Sequence, residues 1–334
     1  MGKTLKFGVI GTNFISDRFG EAIKKTPMAK MVAVLSRTEE KGKAFATAHG
    51  ISKVYTKEQD FLLDKDIDAV YIAVPNALHF AYAEKTLEYG KHVLLEKPAC
   101  LCRKELDTLL SKAQEKGKLL LEAMRPAFDP AYQILAEALP KIGKIRFANL
   151  DFCQYSSRYD AFLQGDVQRA FDPAFGNAAV MDIGVYPLFI AVMLFGEPKS
   201  LTANSLFLAN GFEGMGQITL HYSEMLCSVT YSKITQSATP SVILGEKGSL
   251  LIDKLTQPTQ IIFRKIDGKE EPLPLAPNPN NMVYEIETFA QLIQKGEITH
   301  PSTANAATTI SLIDCVRQSQ NIRFSPADPL FEEK

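Results

Sequence analysis

Along residues 1–124, short apolar runs alternate with stretches in which apolar side chains recur every three or four positions. Residues 7–10, 31–35, 54–55, 69–74, 92–95 and 118–121 read as buried strands. Between the first two, Ile15, Phe19, Ala22 and Ile23 share one face of a helix that Thr26-Pro27 ends. Further helices are predicted over 39–49, 57–63, 79–89 and 104–115, with Gly50, Gly90 and Gly117 as stops. Near-continuous apolar strands separated by helices predict a parallel sheet covered on both faces.

From about Arg125 the pattern changes. A helix over 132–139 is followed by strand-like stretches at 145–152, 200–208, 216–222, 226–233, 241–244, 249–252 and 260–265, with Asn210-Gly211 as one turn signal. Their close spacing predicts an antiparallel meander. Two helices follow, over 283–294 and 305–320, and the proline-rich stretch 272–279 reads as a loop and not as an interdomain linker. The fold class expected is α/β: a Rossmann-type doubly wound parallel sheet over 1–124, then an α+β domain over 125–334 with a large, open, mostly antiparallel sheet.

Composition narrows the function classes. With 334 residues and a net charge of −1, the chain has length for about two domains and no basic excess. A dedicated nucleic-acid or anionic-membrane binder is therefore not expected. The balance is uneven along the chain: residues 1–124 hold 20 basic and 16 acidic side chains, so the half expected to meet phosphates carries the positive excess. Cys100, Cys102, Cys153, Cys227 and Cys315 lack zinc or disulfide spacing, and His49, His92, His221 and His300 are scattered. No metal is expected, and a reducing, cytoplasmic setting is. The apolar run 7–11 is too short for a signal peptide, and the longest uncharged apolar run, 184–196, is short for a bilayer span and contains Pro187. These features predict a soluble protein.

The turn Gly11-Thr12-Asn13-Phe14-Ile15-Ser16 lies between the first strand and first helix, where a dinucleotide fold brings backbone N–H groups to a pyrophosphate. Only the first fingerprint glycine is kept. Asn13 is the next-best residue for positive φ, and Ser16 is small enough for close helix–strand packing. After the second strand, where NAD-binding versions carry Asp or Glu, this chain has Ser36-Arg37. A hydroxyl with a guanidinium suits a 2′-phosphate, so NADP is favoured, with NAD as the other candidate.

Three further motifs complete a pattern: Val74-Pro75-Asn76-Ala77-Leu78-His79, Glu96-Lys97-Pro98, and Met181-Asp182-Ile183-Gly184-Val185-Tyr186-Pro187. With Glu122-Ala123-Met124, Leu244-Gly245-Glu246-Lys247-Gly248 and Asn281-Met282-Val283-Tyr284-Glu285, they resemble the Gfo/Idh/MocA family over essentially the whole chain. The resemblance implies a cis Pro98 that projects Lys97 beside nicotinamide and substrate. It implies that Tyr186, at a position often His in the family, exchanges a proton with the substrate oxygen, and that Asp182 holds the substrate. The phenol, with an ordinary pKa of about 10, would need lowering, and Lys97 is the positive neighbour expected to do it. Expected cofactor contacts are Gly11, Thr12, Asn13, Phe14, Ile15, Ser36, Arg37, Val74, Pro75, Asn76, His79, Glu96 and Lys97. Arg158, in a polar loop with Tyr159 and Asp160, is a candidate substrate contact beside Lys97, Asp182 and Tyr186.

The activity expected is NADP-dependent oxidation of a secondary alcohol, or the reverse, on a small sugar, polyol or dihydrodiol. A homodimer through the second domain's open sheet is expected with it. The alternative is an NADP-responsive regulatory protein without turnover, a role the same fold serves elsewhere in the family. Retention of Lys97, Asp182 and Tyr186 argues for catalysis.

Overall fold

The computed structural model describes residues 3–324 and 328–331. They form two compact units, one of Met1–Phe128 with Pro279–Ala304, the other of Asp129–Asn278 with Asn305–Lys334.

The first unit alternates as its pattern demands: β1 (Leu5–Ile10), α1 (Phe14–Ile23), β2 (Ala29–Leu35), α2 (Glu39–His49), β3 (Lys53–Tyr55), α3 (Glu58–Leu63), β4 (Ala69–Ile72), α4 (His79–Glu88), β5 (His92–Glu96), α5 (Arg103–Glu115) and β6 (Leu120–Ala123). The final strand sits two residues later than its apolar run predicts. The six strands are all parallel, ordered β3-β2-β1-β4-β5-β6. The order reverses at β1 and β4, and a doubly wound sheet opens its ligand crevice at such a reversal. An aromatic stack fills the core beneath: Phe7 of β1 meets Phe19 of α1 edge-on, and Phe19 lies flat on Tyr71 of β4 at 3.9 Å.

The second unit begins with α6 (Pro130–Ala138), started by Asp129, whose carboxylate accepts the Ala131 N–H at 3.0 Å. Strand β7 (Ile145–Cys153) leads through a short α7 (Tyr159–Leu163) to one π-helical turn, Val180–Gly184, and α8 (Val185–Phe195). Then come β8 (Ser200–Phe207), β9 (Glu213–His221), β10 (Leu226–Ser232), β11 (Ser241–Gly245), β12 (Gly248–Ile252), β13 (Ile261–Lys265) and β14 (Glu270–Pro272). The eight strands are ordered β14-β13-β12-β11-β7-β10-β9-β8. A plain meander would leave β7 at an edge. It is instead inserted between β11 and β10, pairing parallel with β10 and antiparallel with β11. The remaining pairs are antiparallel. One face of the sheet, with Ala148, Leu150, Ile218, Leu220, Val229, Tyr231 and Ile243, is fully buried, and α8 packs on β7 and β10.

The helical stretch Pro173–Phe195 is long and apolar enough to cross a membrane by length and composition, which the run 184–196 alone is not. Its most apolar 18-residue window is 78 % buried within the protein, as a core helix is.

The last two helices are α9 (Met282–Lys295) and α10 (Pro301–Gln320). α9 belongs to the first unit: Phe289 lies 5.6 Å from Phe7, and Met282, Ile286 and Ala290 join the same core. The chain therefore returns to its first unit after Asn278, within the proline-rich stretch whose sequence reads as a loop of the second domain. A single cut after Met124 does not describe that return.

Candidate functional site

The first unit gathers its expected contacts at the C-terminal ends of β1, β2, β4 and β5. Gly11 has φ +106°, and a Cβ there would lie 2.2 Å from the Ala73 carbonyl oxygen, so only glycine fits. Asn13 does not take the positive φ that its residue type allows. It is extended (φ −104°) and caps α1: its Oδ1 accepts the Ile15 and Ser16 N–H groups at 3.1 and 3.2 Å, and its Nδ2 donates to Ala73 O at 2.9 Å. The asparagine thus replaces a glycine by tying helix and strand together with its side chain. Ser16 is fully buried, and Phe14 is 72 % exposed. The N–H groups of Thr12, Asn13 and Phe14 have no acceptor among the described residues. That glycine-shaped turn with spare donors fits a pyrophosphate. Ser36 is buried at the end of β2, while Arg37 is exposed and makes no hydrogen bond or ion pair among the described residues.

The turn after β5 is anchored at three successive residues. Glu96 Oε2 accepts the Lys97 N–H at 3.2 Å, His79 Nδ1 meets the Pro98 carbonyl at 2.8 Å, and Glu122 Oε1 accepts the Ala99 N–H at 2.8 Å. The Lys97–Pro98 bond is cis. Tyr71, the base of the aromatic stack, donates its hydroxyl to Glu96 Oε1. Lys97 itself is half-buried. His79 is 1 % exposed, and its second nitrogen meets Val74 O at 2.9 Å. Both ring nitrogens face backbone carbonyls, and the neutral ring donates its one N–H to only one of the two. Burial pushes its pKa down to about 4 and the nearby Lys97 charge adds to this, against the pull of the two carbonyls.

Burial drives the carboxyls of this region upward. Glu122 reaches about 7, and its Oε2 has no partner among the described residues; Glu96 is also raised. Glu285, near the start of α9, is fully buried with neither oxygen partnered among the described residues, and is raised further by the charge of Glu96. Sequence reading placed Glu285 within a motif and gave it no role. Its inward position on the amphipathic face of α9 was the available signal.

The second unit holds Asp182 and Tyr186. They do not share one regular helical face, because the π-helical turn Val180–Gly184 intervenes and α8 starts at Val185, with Pro187 in its first turn. Gly184, the last residue of the π turn, packs closely on Tyr231: a Cβ there would lie 3.0 Å from its ring. The Tyr231 hydroxyl donates to Glu213 Oε1 at 2.8 Å, and Glu213 Oε2 accepts the Val180 N–H at 2.8 Å. Buried Glu213 is pushed up to about 7 by desolvation, against three donors. Tyr186 is 7 % exposed, with its ring edge-on to Phe152.

Asp182 Oδ2 accepts from Lys233 Nζ at 2.8 Å. Lys233 is the functional-region residue that sequence reading missed. It follows Cys227, Val229 and Tyr231 on the inward parity of β10, and a lysine on that parity was the signal. Arg158 lies exposed just before α7, on an excursion organised by Tyr159 against Phe162 and Phe171, and by a Tyr155 hydroxyl bond to Asp160. Lys97 stands in the first unit, and Asp182, Tyr186 and Arg158 in the second. No cluster of three or more His, Cys, Asp or Glu with metal-binding geometry occurs among the described residues.

Such a fold, with a glycine turn at a strand-order reversal and a second unit built on a large mixed sheet, is that of a dinucleotide-binding oxidoreductase. Residues 5–124 match the oxidoreductase family with an NAD-binding Rossmann fold, and residues 136–251 match the GFO/IDH/MocA C-terminal domain. The chain is a member of the Gfo/Idh/MocA family. It is 38 % identical over 326 residues to the scyllo-inositol 2-dehydrogenase (NADP(+)) IolU of Bacillus subtilis, covering 97 % of this chain and 99 % of that one. It is 29 % identical over 337 residues to the trans-1,2-dihydrobenzene-1,2-diol dehydrogenase of Xenopus tropicalis, covering 96 % and 99 %. Among solved structures it resembles KijD10, a 3-ketoreductase from Actinomadura kijaniata in complex with TDP-benzene and NADP, with a TM-score of 0.84, 25 % identity, and 95 % and 98 % of the two chains covered.

The raised carboxyl of Glu122 gives a pH prediction. A carboxyl lifted from 4.5 to about 7 by folding favours the folded state below its unfolded pKa, and that contribution is lost as pH rises through about 7. Glu122→Gln keeps an acceptor for Ala99 and carries no titratable proton. In urea unfolding, the variant should lose less stability than the parent between pH 5 and 7.5, by about 1–3 kcal/mol. Equal losses in the two proteins would refute the assignment.

Proposed function

We propose that the protein is an NADP(H)-dependent dehydrogenase/reductase acting on a secondary alcohol or carbonyl of a small polyhydroxylated ring: a cyclic polyol, a sugar or a dihydrodiol. The observation that carries this reading is the Lys97 turn. A solvated strand-end lysine needs no support, whereas here three successive residues are anchored by buried ionisable side chains. The family membership and the polyol and dihydrodiol activities of the two relatives support the substrate class.

NADP(H) supplies or accepts the hydride at nicotinamide C4. Gly11 and the amides of Thr12–Phe14 hold the pyrophosphate, and Ser36 and Arg37 hold the 2′-phosphate. Val74, Pro75 and Asn76 line the loop after β4, and His79 and Glu96 act from beneath it. In the oxidative direction, Tyr186 takes the hydroxyl proton as the C–H bond gives up its hydride; in reduction it returns that proton to the carbonyl oxygen. The Lys97 ammonium stabilises the oxygen anion as it forms. Asp182 accepts a hydrogen bond from a substrate hydroxyl, and Arg158 shapes the entrance. The residue domains follow this division, 1–124 for the dinucleotide and 125–334 for substrate and assembly, with α9 added to the first.

The outward face of the second sheet supports a homodimer. Leu226, Phe147 and Leu244 are neighbours in register across β10, β7 and β11, and Val242, Leu251 and Ile262 across β11, β12 and β13. Leu226 and Leu244 are 44 % and 40 % exposed. A contiguous apolar stripe of that kind is typical of a subunit contact. The cytosol is the proposed location, in keeping with five free cysteines.

Three measurements test these statements. Tyr186→Phe should lower kcat for oxidation of inositols and diols by about 10²–10⁴, while leaving the NADPH dissociation constant within twofold. Tight NADPH binding by the parent, with no turnover across a broad polyol, sugar and diol panel, would favour the regulatory alternative. Arg37→Ala should raise the KM for NADP⁺ about 10- to 100-fold and leave that for NAD⁺ almost unchanged; a parallel change in both would remove Arg37 from the 2′-phosphate. Leu244→Glu should convert a dimer to monomers in sedimentation velocity, and a dimer that survives this change lies on another surface.

A further inference from the structure

We propose that Lys233 is a positioning residue for the reaction: it fixes the Asp182 carboxylate from inside the protein. The inference rests on the reading of Asp182 as the residue that holds the substrate hydroxyl.

Lysine is rarely buried, because its ammonium loses water that the interior must replace. Lys233 is 3 % exposed, and every replacement is in place. Its Nζ donates to Asp182 Oδ2 at 2.8 Å and to the Ala170 carbonyl at 2.9 Å. The same ammonium stands 5.2 and 5.4 Å from the ring centres of Phe171 and Phe212, within cation–π range. Its backbone is equally fixed. The Lys233 N–H donates to Gly214 O, and the Lys233 carbonyl accepts the Ser156 N–H, each at 2.9 Å.

The pair is asymmetric. The Lys233 side chain is 4 % exposed and that of Asp182 is 38 % exposed. An ion pair built for stability alone would gain little over apolar residues of the same volume. Here the cation is hidden and the carboxylate is presented, which is the arrangement of a reactive group with its support behind it. The π turn that carries Asp182 is held independently, through the Val180 N–H on Glu213. Lys233 therefore sets the direction of one carboxylate, and not the path of the backbone. Through Ala170 it also joins Asp182 to the excursion that carries Arg158 and α7, so one ammonium registers two substrate-side segments of the second unit.

The test is a double-mutant cycle with Lys233→Met and Asp182→Asn, using the best polyol or diol substrate and NADP⁺. Lys233→Met keeps the apolar stem and removes the ammonium. Each single variant should lower kcat/KM by about 30- to 100-fold, mainly through KM for the polyol, while NADPH binding stays within twofold. The double variant should be no more than about threefold worse than the weaker single, because the lysine acts through the aspartate. Should Lys233→Met not accumulate folded, Lys233→Arg carries the test. It keeps the charge and displaces the donor, so kcat/KM should fall at least about fivefold with no further loss on adding Asp182→Asn. Multiplicative losses in the cycle overturn the proposal. A Lys233 variant at full activity beside an impaired Asp182→Asn overturns the proposal alone. Full activity of Asp182→Asn overturns the reading of Asp182 as well.

Discussion

A buried ionisable group must be paired with a donor or acceptor or give up its charge, and that constraint governs the surroundings of both Lys97 and Asp182. The Lys97 turn carries a half-buried cation at the end of a parallel strand, where the backbone leaves the sheet and its own hydrogen bonds stop. Glu96, His79 and Glu122 supply those bonds from β5, α4 and β6. Because each is desolvated, each is displaced from its ordinary pKa, the carboxyls upward and the imidazole downward. The anchoring carboxyls are thus pushed toward their neutral form beside the Lys97 cation. More readily ionised carboxylates there would weaken the field proposed to stabilise a substrate oxygen anion.

The core feeds directly into this arrangement. Phe7, Phe19 and Tyr71 stack from β1 through α1 to β4, and Tyr71 ends in a hydroxyl bonded to Glu96. Phe289 of α9 closes the same stack from a segment more than 200 positions later in the chain. The return of α9 therefore has an energetic reason: burial of its apolar face completes a core that residues 1–124 leave open, at about 1.5–3 kcal/mol for each large apolar side chain. Glu285 comes inward on the same helix, and its oxygens, unpartnered among the described residues, are the cost that this packing carries.

Much of this was legible in residue order because the relevant signals are local. Strand and helix periods, the glycine after β1, and the Glu96-Lys97-Pro98 and Asp182–Tyr186 motifs need only a few neighbouring residues. What was not legible depends on partners remote in sequence. The insertion of β7 between β11 and β10 is decided by which strand edges meet, and alternation along β7 is the same for either neighbour. The amphipathic face of α9 says that it is buried, and not against which unit. Asn13 was read from its backbone tolerance, while its side-chain amide, reaching Ala73, is what the turn uses. The Tyr231 ring packs on Gly184 of the π turn, a contact between residues 47 positions apart. Lys233 continues the inward parity of β10 one residue past its end at Ser232, which local reading could have found.

The two units solve the same problem with opposite electrostatics. In the first, the backbone around Lys97 is held by carboxyls and an imidazole that burial pushes toward neutrality. In the second, the Asp182 carboxylate is held by an ion pair: Lys233 is buried beneath it, and Glu213, pushed toward neutrality, holds the turn. In the proposed reaction, a clamp pushed toward neutrality suits the Lys97 cation, because it competes less with a developing oxygen anion than ionised carboxylates would. A charged clamp suits a carboxylate proposed to accept from a substrate hydroxyl, because the ammonium occupies one oxygen and fixes its direction. The polarity of each support is therefore matched to the role proposed for the group it holds.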